Sequence, residues 1–191
     1  MVSPVKLSHV VLYSRQVPIM RDWYVNVLGG RVVHEAPGVA FLTYDDEHHR
    51  VAVADPAAMA EIGAGSLLGE AGAELSAEQL AALPPHGLAH IAFTYGTLLE
   101  LLETWERLRG DAIVPAHALN HGPTTSLYYA DPDGNQIELQ IDNFATVEDG
   151  IAFMQSESFA RNPVGVAFDP AVMLAGLRTG KTATELTAPT W

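Results

Sequence analysis

The chain has 191 residues, 48% of them hydrophobic and 17% charged, which is core material for one large domain or two small fused modules. A formal net charge of −13 argues against nucleic acid and anionic membrane surfaces, both of which select basic patches. The absence of cysteine excludes disulfides, zinc–thiolate sites and thiol nucleophiles, leaving eight histidines as the candidates for metal binding and proton transfer.

In chain order, LSHVVLYS (7–14) has strand composition, and PIMRDWYVNVLGG (18–30) follows as a helix that starts at Pro18 and stops at Gly29-Gly30. Three short apolar runs come next, RVVHEA (31–36), VAFLTYD (39–45) and HHRVAVAD (48–55). Residues 56–85 are Ala/Gly-rich and partly helical in pattern, with Ser76 as a candidate cap. LAHIAFTY (88–95) then repeats the first octapeptide, again with His in third place. TLLELLETWERLRG (97–110) is a second helix, with Thr97 and Glu100 at capping-box spacing and an apolar stripe of Leu98, Leu101, Leu102, Trp105 and Leu108. DAIVPA (111–116), TSLYYAD (125–131) and NQIELQID (135–142) read as three more strands. Residues 143–191 carry helical stretches broken at Asn162-Pro163, a tail expected to pack on the modules or on a partner subunit.

Both halves therefore read strand, helix, strand, strand, strand. The repeat argues for a duplicated βαβββ module, spanning residues 5–55 and 86–142 of a single α+β domain with a C-terminal helical extension. His9 and His90 occupy one slot in the two copies. In QIELQID, Glu138 alternates with Ile137 and Leu139, so it shares a face with Gln136 and Gln140. If DPDGN (131–135) is a turn centred on Asp133, Tyr128 lies directly across from Glu138 on the same face.

These residues resemble the vicinal oxygen chelate superfamily of glyoxalases and extradiol dioxygenases, and most nearly its one-domain extradiol dioxygenases of the dihydroxybiphenyl-cleaving kind. The resemblance covers residues 5–55 and 86–142. It implies two modules forming an incomplete barrel around a divalent metal, held by His9, His90 and Glu138. Two neutral imidazoles and one carboxylate on one face leave the opposite face of an octahedral ion open, the arrangement of non-haem Fe(II) oxygenases. Superposing HHRVAVAD on NQIELQID puts Val51 in the slot of Glu138, where glyoxalases carry a fourth ligand. Valine binds no metal, which favours the open triad.

The resemblance also implies catalytic roles for Tyr128 as a contact to a catechol oxygen and for His49 or His121 as proton carrier. His117 competes with His121. His48 is expected on the opposite strand face from His49, and His34 and His86 in loops. The implied function is Fe(II)-dependent cleavage of a catechol ring by O2, with Mn(II) as the alternative metal. The other readings are a metal-dependent isomerase of the same superfamily and a non-enzymatic, drug-sequestering protein. No apolar stretch approaches about 18 residues and the start lacks a leader pattern, so the expectation is a cytoplasmic, homo-oligomeric protein acting on a small molecule, with neither membrane nor nucleic acid as partner.

Overall fold

The computed structural model describes residues 2–61, 86–130 and 136–191; the DPDGN turn and the Ser76 cap lie outside them. The chain divides into two compact units, Ser8–Ile91 and Met1–Leu7 with Ala92–Trp191. The architecture is α+β, and each βαβββ module is present. The first comprises β1 (Lys6–Ser14), α1 (Val17–Leu28), β2 (Arg31–Ala36), β3 (Val39–Thr43) and β4 (Val51–Ala54), with α2 (Pro56–Glu61) after it. The second comprises β5 (His86–Thr94), α3 (Leu98–Gly110), β6 (His117–Asn120), β7 (Thr124–Ala130) and β8 (Gln136–Asp142). The extension adds α4 (Val147–Met154), α5 (Glu157–Arg161), β9 (Val166–Ala167), α6 (Pro170–Arg178) and α7 (Ala183–Thr187). Among the described residues, no helix is long and apolar enough to cross a membrane.

In the Ser8–Ile91 unit the strands run β2-β3-β4-β1, with β5 beside β1. β1 and β4 are parallel, with Val10 opposite Val51 and Leu12 opposite Val53, and β3 joins them antiparallel. Pro in the first turn opens α1, and Gly29, at φ 66°, closes it in the left-handed conformation that glycine adopts without steric cost. Val10, Leu12, Ala40, Leu42, Val51 and Val53 form one apolar face, packed on Val17, Met20, Tyr24 and Val25 of α1. Alternation places His9, Phe41 and Ala52 on the other face.

This orientation corrects the superposition made from sequence. Val51 faces the helix, as Leu139 and Ile141 do in the second module, so it is not the counterpart of Glu138. A one-residue slip inverts every side chain of a strand. The site-facing position of β4 is Ala52, which is equally unable to bind a metal, so the conclusion that this slot holds no ligand stands on a different residue. The strand also starts later than expected: β4 begins at Val51, and His48 and His49 sit in the preceding loop, where alternation does not govern them. His34 is a β2 residue opposite Phe41, not a loop residue, and burial lowers its pKa.

In the other unit, β8, β7, β6 and β9 lie in that order, all antiparallel. Thr97 caps α3 by accepting a hydrogen bond from the Glu100 amide. Leu101 and Leu102, both 0% exposed, together with Trp105, press against Leu127, Tyr129 and Ile141 of the sheet and against Met173 and Leu174 of α6. DAIVPA is not a strand. The Asp111, Ala112 and Ile113 amides bond back to carbonyls at the end of α3, Ala112 is left-handed at φ 62°, and Ile113 and Val114 are exposed. The strand is the next stretch, His117–Asn120.

Candidate active site

The candidate site residues lie on the face of each sheet that its helix leaves uncovered. In the Ser8–Ile91 unit four histidines gather. β1 and β5 bring His9 Nε2 and His90 Nε2 to 3.3 Å, and His9 Nδ1 lies 3.3 Å from Ser8 Oγ. The His49 ring stacks obliquely on His9 with centroids 4.1 Å apart, and the Phe41 and His49 rings meet nearly at right angles with centroids 4.9 Å apart. His48 Nδ1 meets His49 Nδ1 at 2.6 Å, so one of the two donates and the other accepts, leaving Nε2 as the second functional nitrogen of His49. His9, His48 and His49 are all buried. Sequence alternation separated His48 from His49; the loop brings them together.

Arg50 braces that loop. It donates to Asp45 Oδ2 at 2.9 Å and to the Ser8 carbonyl at 2.8 Å, tying the loop to the residue before His9, and it lies 3.5 Å from the buried Glu47. Burial pushes the Asp45 carboxyl up, but the Glu47 amide and the Arg50 guanidinium outweigh it and hold the pKa below the usual value.

In the second unit, β6, β7 and β8 place His117, Tyr128 and Glu138 side by side, with Tyr128 directly opposite both neighbours. The register across the β7–β8 hairpin is the one the sequence indicates. The Tyr128 hydroxyl lies 3.0 Å from Glu138 Oε1 and 2.9 Å from His121 Nε2, within donating reach of either. His121 Nδ1 lies 2.6 Å from the Val164 carbonyl. Tyr128 and Glu138 are 5% and 2% exposed. Burial first, and the Glu138 charge second, raise the Tyr128 pKa well above its ordinary value, so this phenol is neutral at physiological pH and acts as a hydrogen-bond donor. His117 Nε2 is buried with no hydrogen-bond partner among the described residues. His86 is exposed at the start of β5, a strand residue where a loop was expected.

The donor chemistry suits a divalent first-row metal. Two ligands at right angles on one ion, each about 2.0–2.2 Å from it, stand about 3 Å apart, which matches the His9–His90 separation of 3.3 Å. The His9 and His90 imidazoles and the buried Glu138 carboxylate are candidate metal-binding groups. What the sequence did not disclose is the extension's part in the site, because Val164 belongs to a stretch with no catalytic residue type.

A family model described as the Glyoxalase/Bleomycin resistance protein/Dioxygenase superfamily matches residues 6–139. Biphenyl-2,3-diol 1,2-dioxygenase 3 of Rhodococcus globerulus is 42% identical over 186 residues, covering 97% of this chain and 89% of that protein. Biphenyl-2,3-diol 1,2-dioxygenase 2 of the same organism is 40% identical over 187 residues, covering 97% and 88%. Among solved structures, the Mn(II)-bound glyoxalase from Novosphingobium aromaticivorans shares the fold, with a TM-score of 0.52 at 23% identity over 72% of this chain. The chain spans only 38% of that longer protein. On the family match and the two near-full-length relatives, the chain belongs to the glyoxalase/bleomycin resistance/dioxygenase superfamily.

Proposed function

We propose that the protein is an extradiol dioxygenase that opens the ring of a dihydroxybiphenyl-type or substituted catechol with O2. The observation that carries this reading is the 40–42% identity, over nearly the whole chain, to two relatives named biphenyl-2,3-diol 1,2-dioxygenase. Fold alone does not choose the reaction, since a glyoxalase shares it.

In this reading His9, His90 and Glu138 together hold one divalent metal, Fe(II) by preference and Mn(II) as the alternative. A metal held there would supply Lewis-acid activation of the substrates. The chain's own residues do the rest. The neutral Tyr128 hydroxyl donates a hydrogen bond to a catechol oxygen. His121, 2.9 Å from that hydroxyl, takes up the proton the catechol loses. His49, beside His9 and backed by His48 at Nδ1, is the second proton carrier, working through Nε2. The carbon–carbon bond next to the two hydroxyls breaks, both atoms of O2 enter the product, and no external reductant is consumed. Ala52 in β4 would offer a metal no ligand from that strand. The extension packs on the second module, where Met173 and Leu174 meet Leu101, Leu102 and Trp105. The protein works in the cytoplasm on aromatic catabolites, as a homo-oligomer without nucleic acid or membrane partners; its acidity supports the last point.

The test is anaerobic loading with Fe(II), followed by air and a series of catechols including 2,3-dihydroxybiphenyl. Oxygen uptake with a new visible absorption band is expected, and Glu138→Ala abolishes both. Unchanged activity in Glu138→Ala overturns the site assignment, and metal-dependent turnover of other substrates without oxygen uptake overturns the reaction.

A further inference from the structure

The C-terminal extension reaches the proposed proton carrier through the Val164 carbonyl. A carbonyl oxygen only accepts, so the 2.6 Å contact between the Val164 carbonyl and His121 Nδ1 requires the proton on Nδ1. In the neutral imidazole, Nε2 is then the unprotonated nitrogen, and it is the one facing Tyr128.

That carbonyl is delivered by a locked turn. Asn162 closes it with its own side chain, accepting from the Gly165 amide at 3.0 Å and donating to the Gly165 carbonyl at 2.9 Å. β9 then pairs with β6, Val166 opposite Asn120 and Ala167 opposite Leu119. Gly165 adopts φ 87°, and a Cβ there would stand 2.0 Å from the Asn120 carbonyl oxygen and 2.7 Å from His121 Cα. Any other residue must push the turn away from His121.

We propose that residues 162–165 are a positioning device for His121: Gly165 allows the turn to close on β6, and the Val164 carbonyl fixes the imidazole as the Nδ1–H form with Nε2 presented to Tyr128. This rests on the reading of His121 as proton carrier. The extension thus sets which nitrogen does the chemistry, and Gly165 and Asn162 act through His121 without touching substrate.

The experiment pairs nitrogen-correlated NMR of the histidine rings, in the full chain without added metal, with steady-state kinetics of the Fe(II)-loaded protein. In the native chain His121 is expected to show a protonated Nδ1 and an unprotonated Nε2. Gly165→Ala should lose that signature and lower kcat about 10- to 100-fold, with KM unchanged within about twofold, the scale of effect from misplacing a reacting group. Gly180→Ala is the control: Gly180 is also left-handed, at φ 95°, but has open space around its Cβ position, and both readouts should stay native. Should Gly165→Ala fail to fold, Asn162→Ala, which leaves Gly165 in place, is expected to shift the same signature. A protonated Nε2 in the native chain, or a native signature in both Gly165→Ala and Asn162→Ala, overturns the proposal. A signature that moves in Gly165→Ala while His121→Ala keeps full turnover upholds the positioning and overturns only the catalytic role beneath it.

Discussion

At Tyr128 a single phenolic proton stands between two acceptors, Glu138 Oε1 at 3.0 Å and His121 Nε2 at 2.9 Å. When His121 is neutral its Nε2 takes that hydrogen bond; when His121 gains a proton, Nε2 donates instead and the phenol turns to Glu138. The hydroxyl is therefore a hinge between the proposed metal ligand and the proposed base. Tyr128→Phe removes it while keeping the ring that fills the β7 position. We expect native circular dichroism and a kcat about 10²-fold lower, within the range for loss of one acid–base partner, measured with the Fe(II)-loaded protein; native kcat would remove Tyr128 from the machinery. At this scale the sequence was informative where a pattern carried parity. The Tyr128–Glu138 opposition followed from strand alternation across the hairpin, and His9 and His90 from the repeat. Parity failed where the strand ended early: His48 and His49 lie in a loop, and Val51 turned out to face α1.

The elements show why such side chains can be held in place. In each unit one sheet face is covered by a helix, α1 or α3, and the other is left to histidines, Tyr128 and Glu138. α3 is in turn covered by α6, joined by a bidentate ion pair in which Arg178 Nη1 and Nη2 bond Glu106 Oε1 and Oε2 at 2.9 and 2.7 Å. The Arg178 hydrogen bonds, with its charge, lower the Glu106 pKa. A depressed carboxylate pKa favours the folded state above the unfolded-chain value of about 4.3, and that contribution fades as pH falls through the folded value. Glu106→Gln should therefore melt slightly below the native chain at pH 7, the gap should close as the pH drops below about 4, and added salt should shrink it, because the pair is exposed. Thermal melts across pH check this; a gap that widens in acid would contradict the assignment. The helices were legible from caps and periodicity, Thr97 for α3 and Pro18 with Gly29 for α1. β6 was not, because DAIVPA has the apolar look of a strand whereas its amides finish α3, and HALN, the real strand, has little β-branched content.

For the whole molecule, the fold class and family were readable because a duplicated module leaves the same element order twice. The contribution of the extension was not, since it acts through the main chain of Val164 and through Gly165, where side-chain chemistry gives no signal. The proposed function requires His9, His90 and Glu138 to serve one divalent ion. Its most direct measurement is metal stoichiometry by elemental analysis after anaerobic Fe(II) loading and desalting, on the native chain and on His9→Ala, His90→Ala and Glu138→Ala separately. One metal per native chain is expected, with a large loss in each variant and folding retained by circular dichroism. Full occupancy in Glu138→Ala, or in either histidine variant, would contradict it.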